Sequence, residues 1–341
     1  MKKVFLSIIL FGVLVIGLLS FNKEPFAKTK INGVSFVAPR NEISSDELMP
    51  LRAVNTGWIA VIPYAFTREE EGEIFFHHTR QHWGESLYGV AKTIEMAHSM
   101  NMSVMVKPHV WVRGQGWPGD FQPDSEEKWK LWETSYTKYI LAYAKIADSV
   151  NAELFCIGTE FRKAVVQRPE YWKGLISEVK KAYKGKITYA ANWDNFENVT
   201  FWDQLDYIGI DAYFPVSEEK TPSKEQIKER WAESKNQLKK LSGKHNKPIL
   251  FTEFGFQSVD FTADGHWKYD QDTLAVNHQA QANAFDATFD TFWKEDWFAG
   301  GFVWKWHTNH ENIGGVACKE FTPQNKPAEG VIKEWFGKSL N

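Results

Sequence analysis

The sequence predicts a single (β/α)8 barrel, because short apolar runs alternate with amphipathic stretches from Gly33 onward and eight such runs can be counted. This alternation is typical of parallel strands joined by crossover helices. The chain has 341 residues, 43% of them hydrophobic, which is enough for a sizeable core and excludes general disorder. No internal repeat or proline-rich linker divides it, and such barrels commonly run to about 250 residues as one domain.

The eight runs have the length of buried strands and follow one another in the order that a TIM barrel requires. They are Val34 to Ala38, Trp58 to Tyr64, Ser103 to Val110, Leu154 to Thr159, Ile187 to Ala191, Tyr207 to Ala212, Pro248 to Thr252 and Gly301 to Trp306. The clearest helix lies at Glu126 to Val150, where aromatic and aliphatic residues recur at spacings of three and four. Ser223 with Gln226, and Asp124 with Glu127, have the spacing of a capping box at a helix start.

A doubly wound open sheet is the alternative fold. In that fold, the turn after the first strand normally carries glycines that let the backbone approach a dinucleotide. The corresponding turn of this chain has no glycine and reads Val37-Ala38-Pro39-Arg40-Asn41. The formal net charge of −3 also shows no excess of basic residues that would attract nucleic acid. Dinucleotides and nucleic acids are therefore poor candidates as partners.

Metal and cofactor chemistry has weak support in the sequence. Cys156 and Cys318 show neither a CxxC pair nor a zinc-finger spacing. His307 and His310 lie near Glu311, but no HExxH helix is present. We expect no required metal and no cofactor.

The first residues have the pattern of an export signal. Lys2 and Lys3 precede an uncharged apolar run from Val4 to Phe21. This run is at the lower end of the ~17 to 25 residues that span a bilayer as a helix, so a cleaved signal peptide and an uncleaved anchor both remain open. We expect an exported monomer, secreted, periplasmic or anchored on the outer side of a membrane, with a leader at 1–21, a linker at 22–32 and the catalytic domain at 33–341.

Two glutamates follow apolar runs directly. Glu160 follows the fourth run and Glu253 follows the seventh. They are 93 residues apart, or 31 for each of the three intervening units, which is a plausible length for one strand, one helix and their loops. Since chemistry in such barrels occurs at the carboxyl ends of the strands, we expect both carboxylates on one rim.

A pair of facing carboxylates is what glycoside hydrolysis requires, because each charge raises the proton affinity of the other group and one can stay protonated near neutral pH. A separation of about 5 to 5.5 Å predicts retention through a covalent intermediate, whereas about 6.5 to 9.5 Å admits a water and predicts inversion. The residues alone leave this choice open. The alternative is that each glutamate caps a helix or pairs with lysine or arginine.

Other strand ends carry the side chains that a sugar cleft needs, namely flat aromatics for stacking and polar groups for hydrogen bonds. These residues are Lys107, His109, Trp111, Asn192, Trp193, Asp211, Tyr213, Trp304, Trp306 and His307. The period of two in a strand places Trp304 and Trp306 on one face, and Glu253 on the face of Phe251. A barrel-plugging role is equally open for each tryptophan.

Two long loops add aromatic residues for a polymer-binding groove. The loop from Val112 to Pro123 carries Trp117, and the loop from Gln257 to Val276 carries Trp267. Loops longer than the usual two to six residues are often functional when ordered. Ordinary surface loops are the alternative.

These residues resemble the retaining glycosidases of clan A and, within that clan, glycoside hydrolase family 113, the β-mannanase family. The likeness runs from about Gly33 to Phe336. Its motifs are Gly158-Thr159-Glu160-Phe161, Asn192-Trp193, Asp206-Tyr207-Ile208-Gly209-Ile210-Asp211-Ala212-Tyr213, Thr252-Glu253-Phe254-Gly255 and Trp304-Lys305-Trp306.

The resemblance implies roles for individual residues. Glu160 would be the acid/base, Glu253 the nucleophile and Tyr213 the hydroxyl that orients the nucleophile. The floor of the −1 sugar site would be Trp304 or Trp306, and the hydrogen-bonding groups there would be Asn192 and His109. Thr159 stands where much of the clan has an asparagine that contacts the sugar 2-hydroxyl.

The resulting hypothesis is a retaining endo-β-1,4-mannanase that acts on mannan or glucomannan without a cofactor. A β-glucanase and an exo-acting β-mannosidase are near alternatives on the same barrel. A non-catalytic cell-surface barrel that binds β-linked polysaccharide is the alternative from another class.

Overall fold

The computed structural model describes residues 29–68, 70–76 and 81–338. The predicted leader at residues 1–21 lies outside this part of the chain. Within the described ranges, no helix combines the length and apolar character needed to cross a bilayer.

Eight parallel strands close into a barrel in the order β1-β10-β9-β8-β7-β6-β4-β2, with helices between them. The strands are β1 (Ile31–Phe36), β2 (Trp58–Val61), β3 (Tyr64–Thr67), β4 (Ser103–Val106), β5 (His109–Val112), β6 (Leu154–Thr159), β7 (Lys186–Asn192), β8 (Ile208–Asp211), β9 (Ile249–Phe254) and β10 (Phe298–Trp306). The helices are α1 (Met49–Ala53), α2 (Leu87–Ser99), α3 (Glu126–Ser149), α4 (Arg162–Gln167), α5 (Pro169–Ala182), α6 (Lys224–His245), α7 (His278–Phe292) and α8 (Pro327–Phe336). The predicted (β/α)8 TIM barrel is confirmed, and each predicted run overlaps a barrel strand.

Two of the predicted strands are each divided into two. The barrel strands β2 and β4 end at Val61 and Val106, and the chain then continues into β3 and β5, which pair with each other in a separate parallel sheet. Pro63 and Pro108 lie at these two breaks. Proline lacks the N–H that a continuous ladder needs, so it marks where each barrel strand stops.

The aromatic stripe of α3 packs against the barrel. Its Trp132, Tyr136, Tyr139 and Tyr143 side chains are fully buried. The Tyr136 hydroxyl donates to the carbonyl of Ile157 at 3.0 Å, so the stripe also satisfies strand carbonyl groups. This stripe is part of the core.

The two predicted capping boxes have different outcomes. At α6 the box is confirmed, because Ser223 Oγ accepts from the Gln226 amide and the Gln226 side chain accepts from the Ser223 amide. At α3 the prediction for Asp124 is wrong. Ser125 caps this helix by accepting from the Lys128 amide at 3.3 Å, while Asp124 pairs with the Lys128 ammonium.

The core has two layers. A large cluster fills the space between the strands and the surrounding helices. A smaller cluster of residues in or next to the strands fills the barrel interior: Ile31, Ala60, Ile62, Met105, Leu154, Cys156, Ala190, Leu250, Ala299 and Phe302. The interior is therefore packed, and the chemistry is confined to the rim above it.

Candidate active site

A cleft of about 660 Å³ opens at the carboxyl ends of the barrel strands. This volume lies within the range of about 300 to 1,000 Å³ typical of ligand sites. Both glutamates line it, together with these predicted site residues: His109, Trp111, Thr159, Asn192, Trp193, Tyr213 and Trp304. Trp117 and Trp267 from the two long loops line it as well.

Glu160 follows β6 in a left-handed backbone conformation with a φ of 55°. Its amide donates to the carbonyl of Ala190 at 2.8 Å, and its carbonyl accepts from the amide of Arg162 at 2.7 Å. This conformation costs an ordinary L-residue about 1 to 2 kcal/mol, and such strain is concentrated at active sites. The turn ends the strand and leaves the Glu160 side chain at the cleft wall.

The surroundings of Glu160 favour its protonated form. Burial raises its pKa well above the ordinary value, and the charges of Asp211 and Glu253 add to this effect. The Lys107 charge and a hydrogen bond from the Trp117 Nε1, 2.6 Å from Glu160 Oε2, act in the opposite direction. The net result is a carboxyl group that can carry a proton into a reaction.

Glu253 is held at both carboxylate oxygens. The Tyr213 hydroxyl donates to Oε2 at 2.8 Å, and the Lys107 ammonium donates to Oε1. His109 Nε2 also lies 3.2 Å from Oε1. Burial opposes ionisation of Glu253, but the Lys107 charge and the His109 ring outweigh it and lower the pKa to about 2.

A bulge in β9 sets the direction of Glu253. The pairing with β8 passes from Ile210–Phe251 to Asp211–Glu253, so β9 contains one extra residue at this point. Phe251 packs outward against Trp231 and Phe292 of the helices. The prediction that Glu253 shares the face of Phe251 is therefore wrong, because the bulge breaks the period of two.

Lys107 lies beneath the cleft rather than in its wall. Its side chain is fully buried, and its Nζ contacts Asp211 Oδ1 and Oδ2 at 2.9 and 3.1 Å as well as Glu253. The Thr252 hydroxyl donates to the same Asp211. The prediction that Lys107 contacts substrate is wrong, since Lys107 stands behind the carboxylate and sets its charge.

Of the two β10 tryptophans, only Trp304 lines the cleft. Its ring is stacked parallel to His109 with centroids 6.0 Å apart. Trp306 is buried in the outer core layer, against His310, and the prediction that it contacts sugar is wrong. The pairing of β10 with β1 shifts by one residue between Val303 and Trp306, which directs the two rings to different sides. The peptide bond after Trp304 is cis.

Several aromatic rings line the cleft. Trp193 and Trp267 are stacked with centroids 5.4 Å apart, and Trp111 is half exposed at 51%. Asn192 donates to Asp194 Oδ1 at 2.8 Å. Thr159 lines the cleft beside these groups, with its hydroxyl 3.5 Å from the Pro108 carbonyl.

Several lining residues were missed by the sequence reasoning. Tyr64 ends the second apolar run, so the rule used for the other strand ends would have identified it. Arg162 and Asp194 each lie two residues beyond a predicted site residue, and only their contacts reveal them. His266 and Phe321 lie in loops without a pattern that marks them.

Across residues 29–68, 70–76 and 81–338, no group of three or more His, Cys, Asp or Glu side chains is arranged to hold a metal ion. Cys156 is a buried free thiol in the barrel interior, and burial raises its pKa to about 12. Cys318 is free and partly exposed.

Comparison with solved structures identifies similar barrels. The GH113 β-mannanase from Alicyclobacillus acidocaldarius, solved in complex with ManMIm, is 25% identical with a TM-score of 0.79 over 92% of this chain and 99% of that one. A GH113 β-1,4-mannanase structure is also 25% identical, with a TM-score of 0.77 over 90% and 98% of the two chains. The β-glucuronidase from Ruminococcus gnavus, 13% identical over 90% of this chain and 50% of that one, shares the fold with a TM-score of 0.59.

Sequence comparison gives the family. A search of curated proteins finds no match. The family model for Glycoside Hydrolase Family 113 matches residues 37–326, which is most of the chain and includes both glutamates at the rim. The chain therefore belongs to glycoside hydrolase family 113.

Proposed function

We propose that this glycoside hydrolase is a retaining endo-β-1,4-mannanase with Glu253 as nucleophile and Glu160 as acid/base. The observation that carries the proposal is the opposite charge preference of the two carboxyl groups in one cleft. Glu253 is held ionised by Lys107, whereas burial and neighbouring charge favour the proton on Glu160. The mannan preference is supported by the two GH113 mannanases that are 25% identical over at least 90% of this chain.

In the first step, Glu253 attacks the anomeric carbon of the sugar in the cleft. A bond forms between the carboxylate oxygen and that carbon, while the bond to the leaving oxygen breaks. Glu160 gives its proton to the leaving oxygen, so the departing chain is released as an alcohol. The product is a covalent glycosyl ester on Glu253.

In the second step, water attacks the same carbon. Glu160, now a carboxylate, accepts a proton from that water as the new bond forms, and the ester bond to Glu253 breaks. Two displacements give a product with the starting anomeric configuration, and both carboxyl groups return to their initial states.

The buried charges fit this alternation. Esterification removes the negative charge of Glu253, which is one cause of the raised pKa of Glu160. The pKa of Glu160 therefore falls when the intermediate forms, at the moment when Glu160 must act as a base. Burial and the Glu253 charge raise the pKa of Asp211 to about 7, so esterification of Glu253 removes one of these causes and favours the Asp211 carboxylate. Lys107 therefore keeps an anionic partner when the intermediate forms.

The substrate class follows from the walls of the cleft. The stacked Trp193 and Trp267 and the half-exposed Trp111 offer flat apolar faces to several sugar units. Such faces suit a polymer better than a single terminal sugar, which favours internal cleavage.

The test is product analysis on mannan, glucomannan and carboxymethyl-cellulose, with the Glu253→Ala variant as a control that binds but does not turn over. We expect mixed short oligosaccharides from mannan and glucomannan. Attack on carboxymethyl-cellulose alone would instead favour a β-glucanase, and release of only single sugars an exo-β-mannosidase. Binding without any hydrolysis would indicate a non-catalytic barrel.

We also propose export and a monomeric state for the full chain. The charged start at Lys2 and Lys3 and the apolar run from Val4 to Phe21 support export. Fractionation of expressing cells, with mass determination of the exported protein, separates a cleaved leader from an anchor. Light scattering of the exported protein tests the monomer.

A further inference from the structure

The loop after β5 reaches back to Glu160. Trp117 in this loop donates its Nε1 hydrogen to Glu160 Oε2 at 2.6 Å. Its ring lies directly over the backbone of the next turn, because a Cβ added at Gly119 would be 2.2 Å from the indole. The indole is therefore packed on its own loop with its N–H aimed at the carboxyl group.

Arg162 lies against the ring of the same indole. Its guanidinium carbon lies 4.9 Å from the centroid of the Trp117 ring, which is cation–π distance. The guanidinium also donates to Asp120 at 2.6 Å, in the loop of Trp117, and to Asp194 at 3.0 Å, after β7. Arg162 thus ties two loops together over the ring.

The chemistry of the contact distinguishes the two oxygens of Glu160. An indole N–H donates and cannot accept, so Oε2 must act as the acceptor in both protonation states of the carboxyl group. In the protonated acid the carbonyl oxygen is the better acceptor. The proton then sits on Oε1.

We propose that Trp117 is a positioning residue for Glu160, whose N–H fixes the transferable proton on Oε1, and that Arg162 clamps the indole in this orientation. This inference rests on the proposed acid/base role of Glu160. Trp117 acts through Glu160, and its effect on turnover is separate from any stacking on sugar.

The direction of the pH effect follows from the same contact. The N–H stabilises the carboxylate form and so opposes the burial that raises the pKa of Glu160. Removal of the N–H should raise this pKa further. The loss of a hydrogen bond to a charged group corresponds to a pKa shift of about one to two pH units.

The experiment replaces Trp117 with benzothienylalanine, which has the shape of tryptophan but no N–H, and in parallel with phenylalanine. The pH dependence of kcat/KM, which reports the first displacement, is measured on one aryl oligosaccharide whose leaving group needs no proton and on one whose leaving group does. We expect the basic limb to move up by about one unit, with kcat/KM at neutral pH reduced roughly tenfold only for the second substrate.

Two further variants keep the test decisive. Arg162→Met keeps the Trp117 indole but removes the guanidinium that packs on it. This variant should also move the basic limb to higher pH, by less than the benzothienylalanine variant does. Trp111→Phe removes indole area from the same cleft without a contact to Glu160 and should leave the limb unmoved.

The outcomes separate the two proposals. An unshifted basic limb in the benzothienylalanine variant, with only KM raised on both substrates, would show that Trp117 merely binds sugar. A basic limb that persists in Glu160→Gln would instead overturn the acid/base role of Glu160, whatever the Trp117 variants do.

Discussion

Lys107 and Glu253 form an ion pair from which solvent is almost fully excluded, with side-chain exposures of 0% and 6%. The same ammonium contacts Asp211, so one cation in the core serves two carboxylates. Burial opposes the charge of Lys107, but the two carboxylates outweigh it and raise its pKa. The buried Lys107 ammonium therefore keeps the proposed nucleophile ionised from a position that the substrate does not contact.

Replacing Lys107 with methionine should inactivate the enzyme and destabilise it. Without the ammonium the pKa of Glu253 rises from about 2, so the acidic limb of activity moves to higher pH. A broken buried ion pair costs about 3 to 5 kcal/mol, because a charge is left uncompensated. Denaturant unfolding and a pH–rate profile measure both effects. Lys173→Met, at an exposed pair on α5, is the control and should change stability by at most about 0.5 kcal/mol.

Tyr213→Phe should lower kcat by about 10- to 100-fold with little change in KM. The variant loses the hydrogen bond to Glu253 Oε2, and bonds to charged groups contribute about 1.5 to 3 kcal/mol. Tyr171→Phe, which removes a hydroxyl from a tyrosine on α5, is the matched control. Equal loss in both variants would place the effect in folding rather than in the site.

Glu160→Gln should remove the basic limb of the pH profile. Because the raised pKa belongs to a group that must be protonated for the first step, wild-type activity falls as pH rises through it. The variant should lose most activity on substrates with poor leaving groups and retain glycosyl-enzyme formation on activated aryl glycosides. Rates measured from pH 3 to 10 on both substrate types check this, and an unchanged basic limb would contradict the assignment.

Gly255→Ala should destabilise the protein by about 1 to 3 kcal/mol, the usual cost of overpacking. An added Cβ would lie 2.4 Å from the carbonyl oxygen of Trp304, so β9 and β10 would have to separate where they hold the proposed nucleophile and Trp304 of the cleft lining. Gly174→Ala in α5 meets no atom within 4 Å and should be neutral or slightly stabilising. Thermal unfolding of the pair measures the difference.

The sequence predicts the barrel and the position of the rim well, because apolar runs and the polar residues that end them reflect burial directly. It predicts the direction of side chains less well. Glu253 and Trp306 each follow a bulge, and a bulge shifts the alternation of faces without changing the hydrophobic pattern.

The other site features that the sequence did not predict depend on contacts between distant segments. Lys107 reads as one more polar residue at a strand end, and its place beneath Glu253 depends on how the barrel closes. Trp117 was predicted as a groove aromatic, but its hydrogen bond to Glu160 depends on the fold of its loop. Pro63 and Pro108, by contrast, are visible in the sequence. They would have allowed the second and third predicted runs to be divided into two strands each.

The most direct test of the central claim is azide rescue of two alanine variants on an activated aryl β-glycoside. In Glu253→Ala, azide replaces the nucleophile and should give the α-glycosyl azide. In Glu160→Ala, azide attacks the glycosyl-enzyme and should give the β-glycosyl azide. Nuclear magnetic resonance of the products distinguishes the anomers. The reverse pair of anomers, or the same anomer from both variants, would contradict the assignment of Glu253 as nucleophile and Glu160 as acid/base.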